Sequence, residues 1–407
     1  MKAGCRNLEI EALRAFAVLF VILEHINTLL SWRQGNFEQY FDFYGGVDLF
    51  FCISGFVITS AFASEMSAAI AAKPRSYWRA AVPFWIRRIF RIWPLSWIVF
   101  LVTALLMLHL NDWSDIVLRG MTGDLAAIVL NLQNIHVAAC IDSTNPYCGS
   151  FFGIYWSLSL EEQFYLVFPF LFLLPRRLVM LGLVGLVVVF ALLPRTTLVW
   201  MTRLDAIALG VLLALCRQHW LYERLRPTAL RSPVMRTATL SCLLLALCII
   251  PAMHIKFFPT VVSGLALVLV FLASYSDGYL IGPSSVRRAL VWVGERSFAI
   301  YLLHNTVFWL VAALYRGAFP GSPAGPSETI PFLLAATILL GVSADISFRC
   351  IETPLRRLGK RLATAVGTHR RRWRQPGKPA EPSITGTELP VRPISARAAN
   401  RDIAART

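Results

Sequence analysis

Two ionisable residues, Arg14 and His25, stand eleven positions apart in the first apolar run of the chain. Eleven helical steps of about 100° return almost to the starting face and rise about 16 Å. A permanently charged guanidinium and a titratable imidazole on one stripe can address one elongated substrate. The first would anchor an anionic end and the second would accept a proton. Taken singly, each has a plainer reading: Arg14 as a topology anchor, His25 as a hydrogen-bonded core residue. Glu24 points about 100° away and either tunes His25 or pairs elsewhere.

Further ionisable residues sit in otherwise apolar stretches. In RRIFRIWPL, Arg88 and Arg91 are three apart and share a helix face, as do Arg87 and Arg91. A guanidinium fork suits a phosphate or pyrophosphate better than a single cation does, although an ordinary basic anchor reads the same way. Glu161 and Glu162 lie in WSLSLEEQFYLVFP, where two carboxylates exceed what anchoring needs; at least one is expected to face a cavity. Arg203 and Asp205 in RLDAIALG are candidate members of a buried charge network. In RSFAIYLLH, Tyr301 shares a helix face with both Ser297 and His304, and His304 in such a setting is more often structural than reactive.

The elements holding these residues are membrane helices. Of 407 residues 57% are hydrophobic and 15% charged, whereas about a quarter of a soluble domain is charged. Candidate spans are 9–30, 45–63, 88–110, 156–174, 178–194, 202–217, 237–254, 259–275, 291–315 and 329–350. Runs of this length cross the hydrocarbon core as helices, because backbone amides in lipid need internal partners. Segment 119–137 is partly apolar but carries Arg119, Asp124, Asn131, Gln133, Asn134 and His136. If it crossed, Arg176, Arg177 and the basic run from Arg217 to Arg236 would fall outside. If it does not cross, those clusters fall inside with Arg287, Arg288 and the run from Arg356 to Arg361. The expected fold is therefore all-α: a polytopic bundle of about ten transmembrane helices plus an interfacial or re-entrant helix, both termini cytoplasmic.

A formal charge of +16 could signal nucleic acid, but the cations lie between apolar runs and no nucleic-acid motif accompanies them. No nucleic-acid partner is expected, and membrane lipids are. The first apolar run outlasts a signal-peptide core and lacks a small-residue cleavage site, so it reads as a retained span. The eight cysteines show no metal-ligand spacing, and no metal is expected. Cys52, Cys216, Cys242 and Cys248 read as small core residues, while Cys140 and Cys148 flank a polar loop and could pair if it faces an oxidising compartment. The expected domain division is 1–358 for the membrane domain and 359–407 for a basic, disordered cytoplasmic tail.

Seven segments, in order, carry a resemblance: LRAFAVLFVILEH, GGVDLFFCISGFVIT, RRIFRIWPL, WSLSLEEQFYLVFP, RLDAIALG, RSFAIYLLH and SADISFRCIETPLRR. Over roughly residues 7–358 the chain resembles the acyltransferase-3 family of membrane acyltransferases, which acylate sugars of bacterial surface polysaccharides. The resemblance implies an acyl-coenzyme A donor, usually acetyl-CoA, approaching from the cytoplasm. It also implies a carbohydrate or glycoconjugate acceptor, such as an exopolysaccharide or a lipopolysaccharide unit, and residence in the bacterial inner membrane. The family's arginine-to-histidine motif maps onto Arg14 and His25, and its arginine pair onto Arg88 and Arg91. It makes His25 the leading catalytic candidate, as general base or acyl relay, with Glu162 in support. Asp48, Glu161, Arg203, Asp205, Tyr301 and His304 are assigned substrate-binding or supporting places. Some relatives carry an added extracytoplasmic hydrolase-like domain, for which this chain lacks the length. The rival readings are a secondary transporter or flippase for a sugar or lipid-linked metabolite, and a non-catalytic membrane sensor.

Overall fold

The structure, a computed structural model, describes residues 6–30, 40–72, 76–110, 115–143, 151–194, 196–253, 257–321 and 324–372. Every regular element among them is helical. In chain order the main helices begin with α1 Leu8–Glu24, α2 Gly45–Ala72, α3 Tyr77–His109, α4 Asp115–Val129 and α5 Gln133–Ile141. There follow α6 Tyr155–Val167, α7 Arg176–Leu192, α8 Asp205–Cys216, α9 Pro233–Ala252 and α10 Phe258–Ser274. The last four are α11 Ser285–Glu295, α12 Ser297–Ala318, α13 Thr329–Ser347 and α14 Thr353–Arg372.

Six helical stretches among the described residues are at least 18 residues long and apolar enough to cross a membrane. The helices α1, α7 and α10 reach 17 residues each. The chain is thus a multi-pass membrane protein. Large apolar side chains face outward in stripes: on α13, Ile330, Leu334, Ile338, Val342 and Ile346 recur every four residues and all are exposed. In water such a stripe would be costly, but against lipid tails it needs no partner. Helix α2 lies at the centre, contributing to both large apolar clusters. It meets α8 backbone to backbone, since a Cβ on Gly55 would lie 2.2 Å from Ile207 O and one on Gly210 2.1 Å from Cys52 O.

Contacts between distant loops sort the two ends of the bundle. The Glu9 carboxylate accepts from the N–H groups of Gly278, Leu280 and Ile281 at 3.0, 2.7 and 3.2 Å. Arg6 pairs with Glu295, so both ends of α11 lie beside the start of α1. At the opposite end Asp42 N donates to Cys248 O at 2.9 Å, and Phe43 N donates to Glu24. Residues 9 and 280 on one side require an even number of crossings between them.

The segment 119–137 meets that requirement by turning back. Asn131 takes a left-handed conformation (φ 54°), which asparagine tolerates, and α4 and α5 fold against each other there. Gln133 Nε2 donates to Asp124 at 2.6 Å across the hairpin. Its tip reaches down to α6, where Gln163 Nε2 donates to Asn131 O at 2.8 Å and to Asn134 Oδ1 at 2.9 Å. The polar residues that made this segment ambiguous are its means of burying a broken helix.

Among the expected boundaries, two shift furthest. The span expected at 88–110 begins at Tyr77, because Pro83 and Pro94 are accommodated inside one 33-residue helix. The tail expected from 359 is helical to Arg372. Gly359 seats against Phe90, where an added Cβ would fall 2.6 Å from that residue's Cβ, and Ala363 is 1% exposed. Small residues give close backbone approach here, while Leu358 and Leu362 of the same helix stay exposed. Residues 373–407 lie outside the described residues, as does Cys148; Cys140 is disulfide-bonded.

Candidate active site

Helices α1, α2, α3, α6 and α12 meet the α13–α14 junction around a cavity of about 290 Å³. Arg6, Arg14, Arg91 and Arg356 lie on its wall with Glu11, Glu295 and Glu352, Arg6 being paired with Glu11 and Glu295, and the cavity continues past Ser54 and Glu161 to Ser157 and Tyr301. Charged groups therefore cluster at one end, while hydroxyl and aromatic groups line the other. The close packing of α11 on α1 shapes the charged end: a Cβ on Gly294 would lie 1.8 Å from Glu11 O.

The neighbouring carboxylates diverge, as successive helical residues must. Glu161 lines the cavity and accepts from Ser54 and from Tyr165. Glu162 turns away, accepting from Trp93 Nε1 at 2.8 Å, with its second oxygen buried and unpartnered. The arginine pair splits likewise. Arg91 faces the cavity, whereas Arg88 lies among aromatic rings, its Cζ 5.3 Å from the Tyr165 centroid and 5.5 Å from that of Phe62. The guanidiniums that converge come from different helices, not from one fork on α3.

His25 stands at the opposite end of α1 from Arg6, just past the last residue of that helix, where it breaks before a short turn Ile26–Leu29. It does not line the cavity. Its ring packs edge-on against His304, centroids 5.0 Å apart, and His304 lies 5.9 Å from Tyr301. Tyr301 thus closes the deep end of the cavity, and the histidine pair stands behind it. Tyr301 OH donates to Ile154 O at 2.6 Å, so the Ser157 hydroxyl, also at 2.6 Å, must donate to Tyr301.

Hydrogen bonding fixes both imidazoles. His25 Nδ1 is 2.8 Å from Val21 O, and His304 Nδ1 is 2.6 Å from Tyr301 O. A carbonyl only accepts, so each Nδ1 carries its proton, which puts the lone pair of the neutral ring on Nε2. His304 is fully buried and its Nε2 has no partner. Two imidazoles with Nε2 uncommitted are, in their neutral form, the arrangement general-base chemistry requires.

A second polar cluster lies apart from the cavity. Arg203 pairs with Asp48, and Ser263 Oγ lies 3.0 Å from Asp48 and 3.1 Å from Asp205. All three charged residues are at most 1% exposed, and Arg203 is stacked near Trp200 and Tyr44. This network ties α2, α8 and α10 together. Among the described residues, no group of three or more His, Cys, Asp or Glu side chains is placed to hold a metal ion.

Arg356, Glu352 and Glu11 were not among the residues assigned to the site from sequence. The first two lie in SADISFRCIETPLRR, whose charges read as a membrane-edge cluster; the helical phase that turns them inward is not a local property.

Comparison with known proteins bears on what this arrangement does. Residues 7–345 match the family model described as an acyltransferase domain, Acyl_transf_3. An O-acetyltransferase, OatA, of Staphylococcus aureus (strain NCTC 8325 / PS 47) is 27% identical over 385 residues, covering 86% of this chain and 57% of its own length. The peptidoglycan O-acetyltransferase OatA of Listeria monocytogenes serovar 1/2a is 27% identical over 387 residues, covering 86% and 56%. The chain therefore spans little more than half the length of these relatives. No solved structure matches it.

Proposed function

The chain belongs to the acyltransferase-3 family, and from that premise we propose that it is a membrane-embedded O-acyltransferase. It moves an acetyl group from cytoplasmic acetyl-CoA to a hydroxyl of a glycan on the far side of the inner membrane. A peptidoglycan-type acceptor is the first candidate, from the names of the relatives. The observation that carries the reading is the alignment of three features. An arginine-rich mouth leads into a cavity that ends at Tyr301, and a pair of imidazoles with free Nε2 lone pairs lies behind it.

In this reading Arg14 and Arg91 hold the anionic nucleotide end of the donor, and its thioester arm runs toward Tyr301. The acceptor hydroxyl approaches from the His25 end. His25 Nε2 takes the hydroxyl proton as the oxygen bonds to the thioester carbonyl carbon. Collapse of the tetrahedral adduct breaks the C–S bond, and the proton passes from His25 to the departing thiolate. Tyr301 and His304 stand between cavity and His25, so either this layer turns aside during direct transfer or histidine carries the acyl group across. Glu161, hydrogen-bonded within the cavity, positions the donor arm; Glu162, bonded to Trp93, braces α6 against α3. Ten spans with both termini cytoplasmic agree with the basic loops and with the even crossing number between Glu9 and Leu280.

The test is purified protein given radiolabelled acetyl-CoA and muropeptide or polysaccharide acceptors. Label should move to the glycan as an alkali-labile ester. Solute uptake without thioester consumption would replace this reading with a transporter.

A further inference from the structure

We propose that Arg356 is a donor-binding residue which, with Arg14 and Arg91, forms a three-arginine phosphate site at the cavity mouth for the diphosphate of acyl-coenzyme A. The proposal rests on the functional reading above and adds to it a residue and the helix that carries it.

The sequence explains how a residue beyond the last span reaches the cavity. Between α13 and α14 the helix widens into a π-turn over Phe348–Glu352, and Thr353 N–H bonds to Phe348 O five residues back. The next residue is Pro354. In a continuous α-helix its ring would strike the Cys350 carbonyl and it could donate no bond. One extra residue in the turn relieves that conflict and rotates everything beyond it by about 100°. The rotation sets the phase at which Glu352 and Arg356, one turn apart, both meet the cavity wall. Side chains pin the turn: Asp345 accepts from Arg296 Nε at 2.7 Å and pairs with Arg349 Nε at 2.8 Å. Such π-turns recur at functional sites.

Electrostatics argues for an anion. Arg356 lies within Coulombic range of Arg91 and Arg14, as well as of Glu352 and Glu11. Among the described residues, neither Arg91 nor Arg356 has a carboxylate at ion-pair distance, and Arg14 only approaches Glu11 at 3.7 Å. Arg14 Nε is buried without a hydrogen-bond partner. Guanidiniums from three helices that converge on one cavity repel one another. A diphosphate would reverse that cost, since planar guanidiniums bind phosphoryl oxygens through paired N–H donors. A lipid headgroup offers the same phosphate. The cavity favours the donor, because it runs on from the arginines to Ser157 and Tyr301 instead of ending at the surface.

The test is calorimetric binding of CoA to the full chain in detergent. Arg356→Gln should weaken CoA about tenfold, the loss of one charge-assisted contact to phosphate, and Arg356→Lys should fall between. Arg357→Gln, a neighbour exposed like Arg356 but absent from the cavity wall, should leave binding unchanged. Turnover of S-acetyl-pantetheine, which lacks phosphate, should be the same in Arg356→Gln and the parent. Wild-type CoA affinity in Arg356→Gln overturns the proposal, as does equal weakening by Arg357→Gln. Loss of thermal stabilisation by phosphatidylglycerol with CoA affinity intact assigns the site to lipid and overturns it too. A parent protein that binds no CoA at all removes the donor assignment itself, and this site with it.

Discussion

His25→Asn separates the two things that His25 does. The asparagine amide can keep the Nδ1-like donor that reaches Val21 O, 2.8 Å away in the native ring, while offering no base where Nε2 stood. His25→Ala loses both. A net hydrogen bond is worth about 1 kcal/mol, so His25→Ala should be less stable than His25→Asn by about that amount. Loss of a general base costs about 100- to 10,000-fold in rate, or about 3–5 kcal/mol of transition-state stabilisation. Both variants should therefore lose kcat alike, with KM for acetyl-CoA unchanged because His25 lies outside the cavity. Thermal melting in detergent reads the first difference, and labelled acetyl transfer at saturating donor reads the second. If His25→Asn kept more than about a third of parental kcat while folded, a base at Nε2 would be untenable, and His25 would be a structural residue.

The arginine pair on α3 should separate by phenotype. Arg91→Gln should raise the KM for acetyl-CoA about tenfold, whereas Arg88→Met should lower thermal stability with little change in KM, as kinetics and melting on the same preparations will show. Asp48→Leu strands Arg203, 1% exposed, and should cost about 3–5 kcal/mol. The double change Asp48→Leu with Arg203→Leu should recover part of that, measured by detergent-phase unfolding. Gly294→Ala forces a methyl group to within 1.8 Å of Glu11 O. It should push α11 off α1, lower the melting temperature and raise donor KM; a variant that melts like the parent would mean the helices do not pack so closely.

The rotation of helices about their own axes explains most of what was and was not legible beforehand. Glu161 and Glu162 are adjacent, and only one reaches the cavity. Arg88 and Arg91 share a face by spacing, yet Tyr165 and Phe62 take one of them. A helix that is apolar all round gives no hydrophobic stripe from which to read which side faces inward. The stripe joining Arg14 to His25 held as far as Glu24, where the helix ends and the imidazole passes behind Tyr301 and His304 instead of opening into the cavity. The hairpin at 115–141 was foreshadowed by its polar residues, but its depth depended on Gln163, a partner on another helix.

By itself the sequence determined that this chain is a many-helix membrane protein and which residues are too costly in lipid to face it. Those follow from the thickness of hydrocarbon, the price of an unpaired amide and the distribution of charge, all of which act locally along the chain. Tertiary structure alone decided which ionisable groups meet. The phase of each helix, the extra residue before Pro354 and the carbonyls that fix two imidazole tautomers are set by neighbours distant in sequence.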